Sequence, residues 1–293
     1  MNVHKVLERL LGLVVLVFSL STASADVAIV QSTGGPNYPI VSTIIEGTDP
    51  VGTWTRTIDS PYLVHLNQNG DANGDGRPAV VHSRNTGRTA VAWASNNGSD
   101  FDVVVSVFDN GSWSTPVIVA GGSFDQRDPQ LAIDPATGDL HVVFWEDGTT
   151  ERVFHASGDP TGQAWSTPTV VSEPGDVAVR PSIAYHQGQQ TIAYESHNFG
   201  IEGLPKLIVV ATNVGGSYSY EMLVGTQRSG SCAIEVHSSN TTIWVEWIDA
   251  EGQIGWQRRS GSGSWESTQF ESYSDAVDLE YHVRRRIQST ATQ

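Results

Sequence analysis

Three arginines open strand-like runs at similar intervals: Arg77 in RPAVVHS, Arg127 in RDPQLAID and Arg180 in RPSIAYH. A guanidinium presents a planar fork of donors that fits a carboxylate bidentately. Each run is followed by a turn and a second strand-like run, RTAVAWAS, LHVVFWED and QTIAYES, and a further pair, SCAIEVH and TIWVEWID, follows without the arginine. The second runs end in Trp93, Trp145, Glu146, Asp147, Glu195, His197, Trp247 and Asp249. Brought together with the arginines, these residues would offer cationic forks for an acidic group, carboxylates, and indole faces on which sugar rings stack. Glycosidic hydrolysis needs two carboxyl groups at a set separation, and Glu195 and Asp128 are the candidate acid and base. A second reading stays open, in which each arginine pairs with an acidic group of the next unit and holds the units together. Trp93, Trp145 and Trp247 recur at one strand position, which suits packing between units better than sugar stacking.

A second constellation is NQNGDANGDGRP. Asp71, Asn73 and Asp75 with Gly76 fit the opening half of a calcium loop, where alternate oxygens point inward and glycine permits the sharp turn. His82 stands at the twelfth position, where such loops place a bidentate Glu. Calcium and a plain Asn/Gly turn are the two readings, and calcium is the only cofactor the sequence suggests.

The chain that positions these residues begins with the tripartite pattern of a secretory leader. Lys5 and Arg9 precede an apolar run from Leu10 to Leu20, and Ala23-Ser24-Ala25 forms a small-residue cleavage site. The expectation is a leader over 1–25 and one domain over 26–293, secreted or periplasmic. No apolar stretch reaches the roughly 20 residues of a membrane span. The net charge of −16 becomes more negative once Lys5, Arg9 and Glu8 are removed, and Lys206 is then the only lysine. Such a surface repels phosphates, so nucleic acid and anionic lipid are poor partners. Cys232 is the only cysteine, so no internal disulfide forms, and its strand-like setting reads as a small buried hydrophobe.

Internal repetition then sets the architecture. Trp54, Trp113, Trp165, Tyr218 and Trp265 each follow a small or polar residue and precede a β-rich run, at intervals of about 50 residues. The arginine-headed series runs out of phase with them. Four short strands per unit fit an antiparallel blade of a β-propeller, with strand A innermost and strand D outermost. The chain starts with runs matching strands B, C and D, and ends with a lone strand A, Ala276–His282. This predicts an all-β, five-bladed β-propeller whose last blade is closed by the C-terminal strand A plus N-terminal strands B, C and D. In that layout the starts of A strands and the ends of B strands line one axial mouth, and the Asp71–Asp75 loop lies beside it.

The stretch SGDPTGQAW, Ser157 to Trp165, resembles the Asp-box of sialidase-like (BNR-repeat) propellers, S-x-D-x-G-x-x-W, with one extra residue before the glycine. FDNGSW and SGSGSW look like more degraded copies. In that motif Ser and Asp cap a tight turn and Trp packs between blades. The resemblance implies a propeller fold and a site where three arginines from different blades hold a sialic acid carboxylate. Sialidases of this type have six blades and an arginine-isoleucine-proline motif, which this chain lacks; five-bladed relatives include furanosidase-type glycoside hydrolases and some lectins. The expected function is an exported carbohydrate-binding propeller whose partner is a glycan or polysaccharide, carboxylate-bearing ones included. The alternatives are a sialidase-like or furanosidase-like glycoside hydrolase and an extracytoplasmic scaffold.

Overall fold

The computed structural model of the chain describes residues 14–18, 25–32, 40–47, 64–65, 78–83, 85–96, 99–186, 188–197, 206–223, 228–237, 242–249, 253–261 and 263–271. They form five antiparallel sheets, each built from strands that follow one another in the chain. The first contains β1 (Val14–Phe18), β2 (Ala25–Ser32), β3 (Ile40–Gly47) and β4 (Val64–His65). The second contains β5 (Ala79–His82), β6 (Thr89–Asn96), β7 (Phe101–Asp109) and β8 (Ser112–Trp113), with β9 (Val117–Ala120) also paired to β7. The third contains β10 (Asp125–Ile133), β11 (Leu140–Asp147), β12 (Arg152–Gly158) and β13 (Thr169–Val170). The fourth contains β14 (Ala178–His186), β15 (Gln189–Ser196), β16 (Leu207–Val214) and β17 (Ser217–Leu223). The fifth contains β18 (Arg228–His237), β19 (Thr242–Asp249), β20 (Ile254–Ser260) and β21 (Gln269–Glu271).

The middle strands of these sheets read as nearly unbroken apolar runs because both faces are covered. Side chains alternate between the faces of a strand, and in β11 the two faces serve different neighbours. Val142 and Phe144 pack with Val103 and Val105 of the second sheet, while Val143 packs with Ile192 and Tyr194 of the fourth. The fourth sheet repeats the pattern, with Ala193 packing instead against Ile234 and Trp247 of the fifth. Sheets two to five are thereby stacked face to face in chain order. Each interior aromatic such as Phe144 contributes about 2–3 kcal/mol by its burial.

Polar ties cross the same seams. The amide of Phe101 donates to Asp125 Oδ1 at 3.1 Å, linking sheets two and three. The amide of Ile234 donates to the Ser182 hydroxyl at 3.2 Å, linking sheets five and four. Toward the outer strands, Arg259 of β20 pairs with Glu221 of β17 and lies over the Trp265 ring. Cys232 is buried in this seam, as its setting predicted.

In the hairpin from Ser157 to Trp165 the aspartate caps the turn, whereas Ser157 pairs with Ser166 across the hairpin. Asp159 accepts from the amides of Thr161, Gln163 and Ala164. Burial works to raise its pKa, but these bonds prevail and hold the carboxyl below its ordinary value. Gly162 has a φ of 69°, and a Cβ there would stand 2.7 Å from Val107, so the turn requires glycine on both counts. Trp165 packs into the core between sheets two and three.

The first sheet differs from the sequence expectation. Its inner position beside β2 is held by β1, with Val14 opposite Gln31 and Phe18 opposite Val27. The segment expected there, Ala276–His282, lies outside the described residues. The apolar, β-prone run VVLVF meets β2 across a short connection, which costs little loop entropy.

Candidate functional site

Strand register, more than composition, places the site residues. Along β10, Arg127 lies opposite Trp145 and the next pair is Gln130 with Val143, so Asp128 and Pro129 form a bulge. Along β14, Val179 lies opposite Glu195 and the next pair is Ser182 with Ala193, so Arg180 and Pro181 form the matching bulge. Asp128 and Arg180 both take left-handed backbone, with φ of 48° and 51°. A bulge re-aims its side chain, and here both side chains reach the partner strand. The Trp145 indole N–H donates to Asp128 Oδ2 at 3.0 Å, and Arg180 Nη1 donates to Glu195 Oε2 at 3.1 Å.

Arg180 is therefore the counterpart of Asp128, not of Arg127, and Glu195 is the counterpart of Trp145. The proline, not the arginine, marks the equivalent position. Arg127 pairs with Asp125 of its own strand and lies 4.6 Å from the centre of the Phe101 ring in the neighbouring sheet. The second reading sets the arginine against an acidic group of the next unit; here the acid belongs to Arg127's own strand and the contact with the next sheet is the Phe101 ring. Arg127 and Arg180 share no carboxylate among the described residues. Arg77 and the Asp71–Asn73–Asp75 loop lie outside the described residues, as does the side chain of Asp249, whose backbone stands opposite Arg228.

Glu195 is the centre of the site. It has no exposed surface, yet Arg180, Lys206 and the His197 imidazole all meet its carboxylate. Besides Arg180 on Oε2, His197 Nε2 and Lys206 Nζ each stand 2.9 Å from Oε1. Burial acts to raise the Glu195 pKa. The bonds from His197 and Lys206 and the charges of Lys206 and Arg180 overcome it, leaving the carboxyl below its ordinary value. Glu195 is thus an anion at neutral pH, able to accept a proton and not to donate one. Asp128, its intended companion, is on another sheet and engaged by Trp145.

The ladder explains how Lys206 arrives. Ser196 pairs with Leu207, so the next residues outward on the two strands, His197 and Lys206, fall side by side. The His197 amide extends the sheet by donating to Val177 O at 2.8 Å. Sequence reasoning did not select Lys206 for the site, although its being the only lysine after Lys5 was a signal. The side chains of Arg180 and Lys206 are each 40% exposed and that of His197 29%. The cluster is a buried anion carrying a partly solvated cationic rim, with positive charge in excess, in a strongly acidic chain.

The other candidates are distributed around it. Asp147 is exposed and faces Asp125 across β10 and β11. Glu146 accepts from the buried Gln126 side chain at 3.2 Å. Trp93 and Trp247 are 1% and 0% exposed and pack in the core, so neither offers a ring face to a sugar. Trp145 is half-buried. Among the described residues, no group of three or more His, Cys, Asp or Glu is arranged to hold a metal ion. No helix there is long and apolar enough to cross a membrane.

A second polar cluster lies between the third sheet and the far end of β14. His141 of β11 and His155 of β12, both buried, share a hydrogen bond at 3.1 Å, and the Tyr185 ring of β14 stacks on His141 with centres 4.3 Å apart. Burial lowers both histidine pKa values, that of His155 to about 3.

No known family profile and no curated protein sequence matches the chain. Solved structures do. An α-L-arabinanase of Penicillium chrysogenum superposes with a TM-score of 0.60 at 18% identity, over 86% of this chain and 84% of that one. A polysaccharide lyase, an ulvan lyase, gives 0.58 at 12% identity over 88% and 69%. The NanB sialidase of Streptococcus pneumoniae gives 0.54 at 7% identity over 85% and 67%. At these identities the likeness concerns architecture alone, and the chain carries a β-propeller fold like theirs.

Proposed function

We propose that the chain is an exported, five-bladed propeller that binds a carboxylate-bearing glycan at the mouth formed by the A-strand starts and B-strand ends. The observation that carries the reading is Glu195, fully buried beneath Arg180, His197 and Lys206. One internal anion leaves positive charge to spare, and a ligand carboxylate is its natural complement. The arabinanase, lyase and sialidase resemblances support a carbohydrate as the rest of the ligand. A hydrolase is the second reading, favoured by the activities named for the arabinanase and the sialidase.

A glycan array with a panel of chromogenic glycosides tests both. Arg180→Gln is expected to cost about 2–5 kcal/mol of affinity for uronic or sialic acid glycans, since a desolvated charge pair loses one partner. Glycan binding indifferent to Arg180 would defeat the assignment, and turnover of a glycoside would favour the hydrolase.

In the exported form the leader, and β1 with it, is removed. The edge of β2 then needs a partner, and Ala276–His282 is the segment proposed to supply it. Deleting residues after Tyr273 from the processed protein should collapse its melting temperature; an unchanged melt would refute the five-bladed closure. The Asp71–Asp75 loop is proposed to take calcium, which would raise the melting temperature in a chelator-reversible way.

A further inference from the structure

We propose that this site cleaves its ligand by elimination: His197 abstracts the proton beside the carboxylate of a 4-linked uronate polysaccharide while Arg180 and Lys206 hold that carboxylate. The proposal rests on the glycan reading above and adds a reaction and a substrate class to it.

The first argument is the tautomer of His197. Its Nε2 lies 2.9 Å from Glu195 Oε1, and an ionised carboxylate only accepts hydrogen bonds. The ring proton is therefore on Nε2, and in the neutral ring the basic lone pair is on Nδ1. A buried carboxylate fixes one nitrogen of a part-exposed imidazole, and the other is left to take a proton from a substrate.

The second argument is the company the base keeps. A C–H next to a carboxylate is a poor acid, because removing it adds a second negative charge to a group that already carries one. Arg180 and Lys206 converge on the same Glu195 that holds the imidazole. They place two positive charges beside the base, where the developing enediolate needs them. Hydrolysis makes a different demand, a carboxylic acid to protonate the leaving oxygen, and Glu195 is ionised.

The step balances without a co-reactant. His197 Nδ1 takes the proton from C5, and the C–H electron pair forms the C4=C5 double bond. The C4–O4 bond breaks, its electrons leave with O4 on the departing sugar, and that oxygen takes a proton from water. The imidazolium returns its proton to solvent. The leaving oxygen must be β to the carbanion, which selects uronates substituted at O4.

The test incubates the purified chain with polygalacturonate, alginate and a glucuronan. It follows the ultraviolet absorbance of the unsaturated uronate together with new reducing ends. Both should rise in step. His197→Ala and His197→Gln should each lower the rate about 100-fold or more, and His197→Gln, which keeps a donor to Glu195, should retain the melting temperature. Reducing ends without absorbance would overturn elimination in favour of hydrolysis. Binding with neither signal would overturn the reaction and leave the glycan reading standing, whereas absence of binding to every uronate polysaccharide would remove both. Full rate in both His197 variants would overturn the assignment of the base.

Discussion

The third and fourth sheets bury polar groups at both ends of their strands, by opposite means. Where the B strands end, Glu195 keeps its charge because Arg180 and Lys206 pair with it, His197 shares a hydrogen bond with it, and their outer parts reach water. Where those strands begin, burial keeps His141 and His155 neutral, against the pull of Asp134 and Asp139 on His141. A charge persists inside this fold where its partners remain solvated, and is suppressed where they do not. The first arrangement can respond to an anion; the second holds two sheets together.

The sharpest way to break this contrast is Glu195→Gln, which keeps the shape and removes the charge. Arg180 and Lys206 would then repel each other over a buried amide. The expected loss is about 3–5 kcal/mol of folding stability by denaturant titration, with a reduced penalty when a uronate ligand is present. A loss under about 1 kcal/mol would mean that solvent, not Glu195, stabilises the cations.

A smaller effect separates the clusters by pH. The folded pKa of His155, about 3, lies below the usual 6.5. Acid therefore protonates the unfolded chain first, and the stability from His155 is full above about 6.5 and drains as pH falls from there toward 3. Glu195 works lower, because its folded pKa is below the usual 4.5. Its contribution is full above about 4.5 and is lost only as pH passes the depressed value. His155→Phe should flatten the stability profile between about pH 6.5 and 4.5 and leave the more acidic part steep. An unaltered profile in that window would show that the histidine pair takes its proton without cost.

The smallest expected effect belongs to Arg127. Its guanidinium is partly exposed over Phe101, so Arg127→Gln should cost about 1 kcal/mol or less and leave glycan affinity unchanged. Selective loss of binding would return Arg127 to the mouth and restore the three-arginine site.

These outcomes bear on what the sequence could disclose. The paired strands, the repeat and the Asp-box hairpin were legible because each is written in local chemistry: alternation, turn residues, a glycine that must be glycine. Glu195, His197 and Arg180 were legible as residues of one strand end. Their roles were not, since the charge state of Glu195 depends on Lys206, which reaches it only through the β15–β16 ladder. The equivalence of Arg127 and Arg180 misled because arginine is conspicuous, whereas the bulge that decides the matter is a property of register. The pairing of β1 was hidden for a related reason, since VVLVF reads equally as a leader core and as a strand.

The bulge also bears on how such a chain changes over time. Asp128 and Arg180 occupy the same backbone seat, turned by a left-handed residue and fixed by the proline that follows. One grips an indole and the other a carboxylate, with the strands around them unaltered. The same seat takes either residue, so one codon there can exchange an acidic contact for a basic one and change what the strand end presents while the sheet keeps its register.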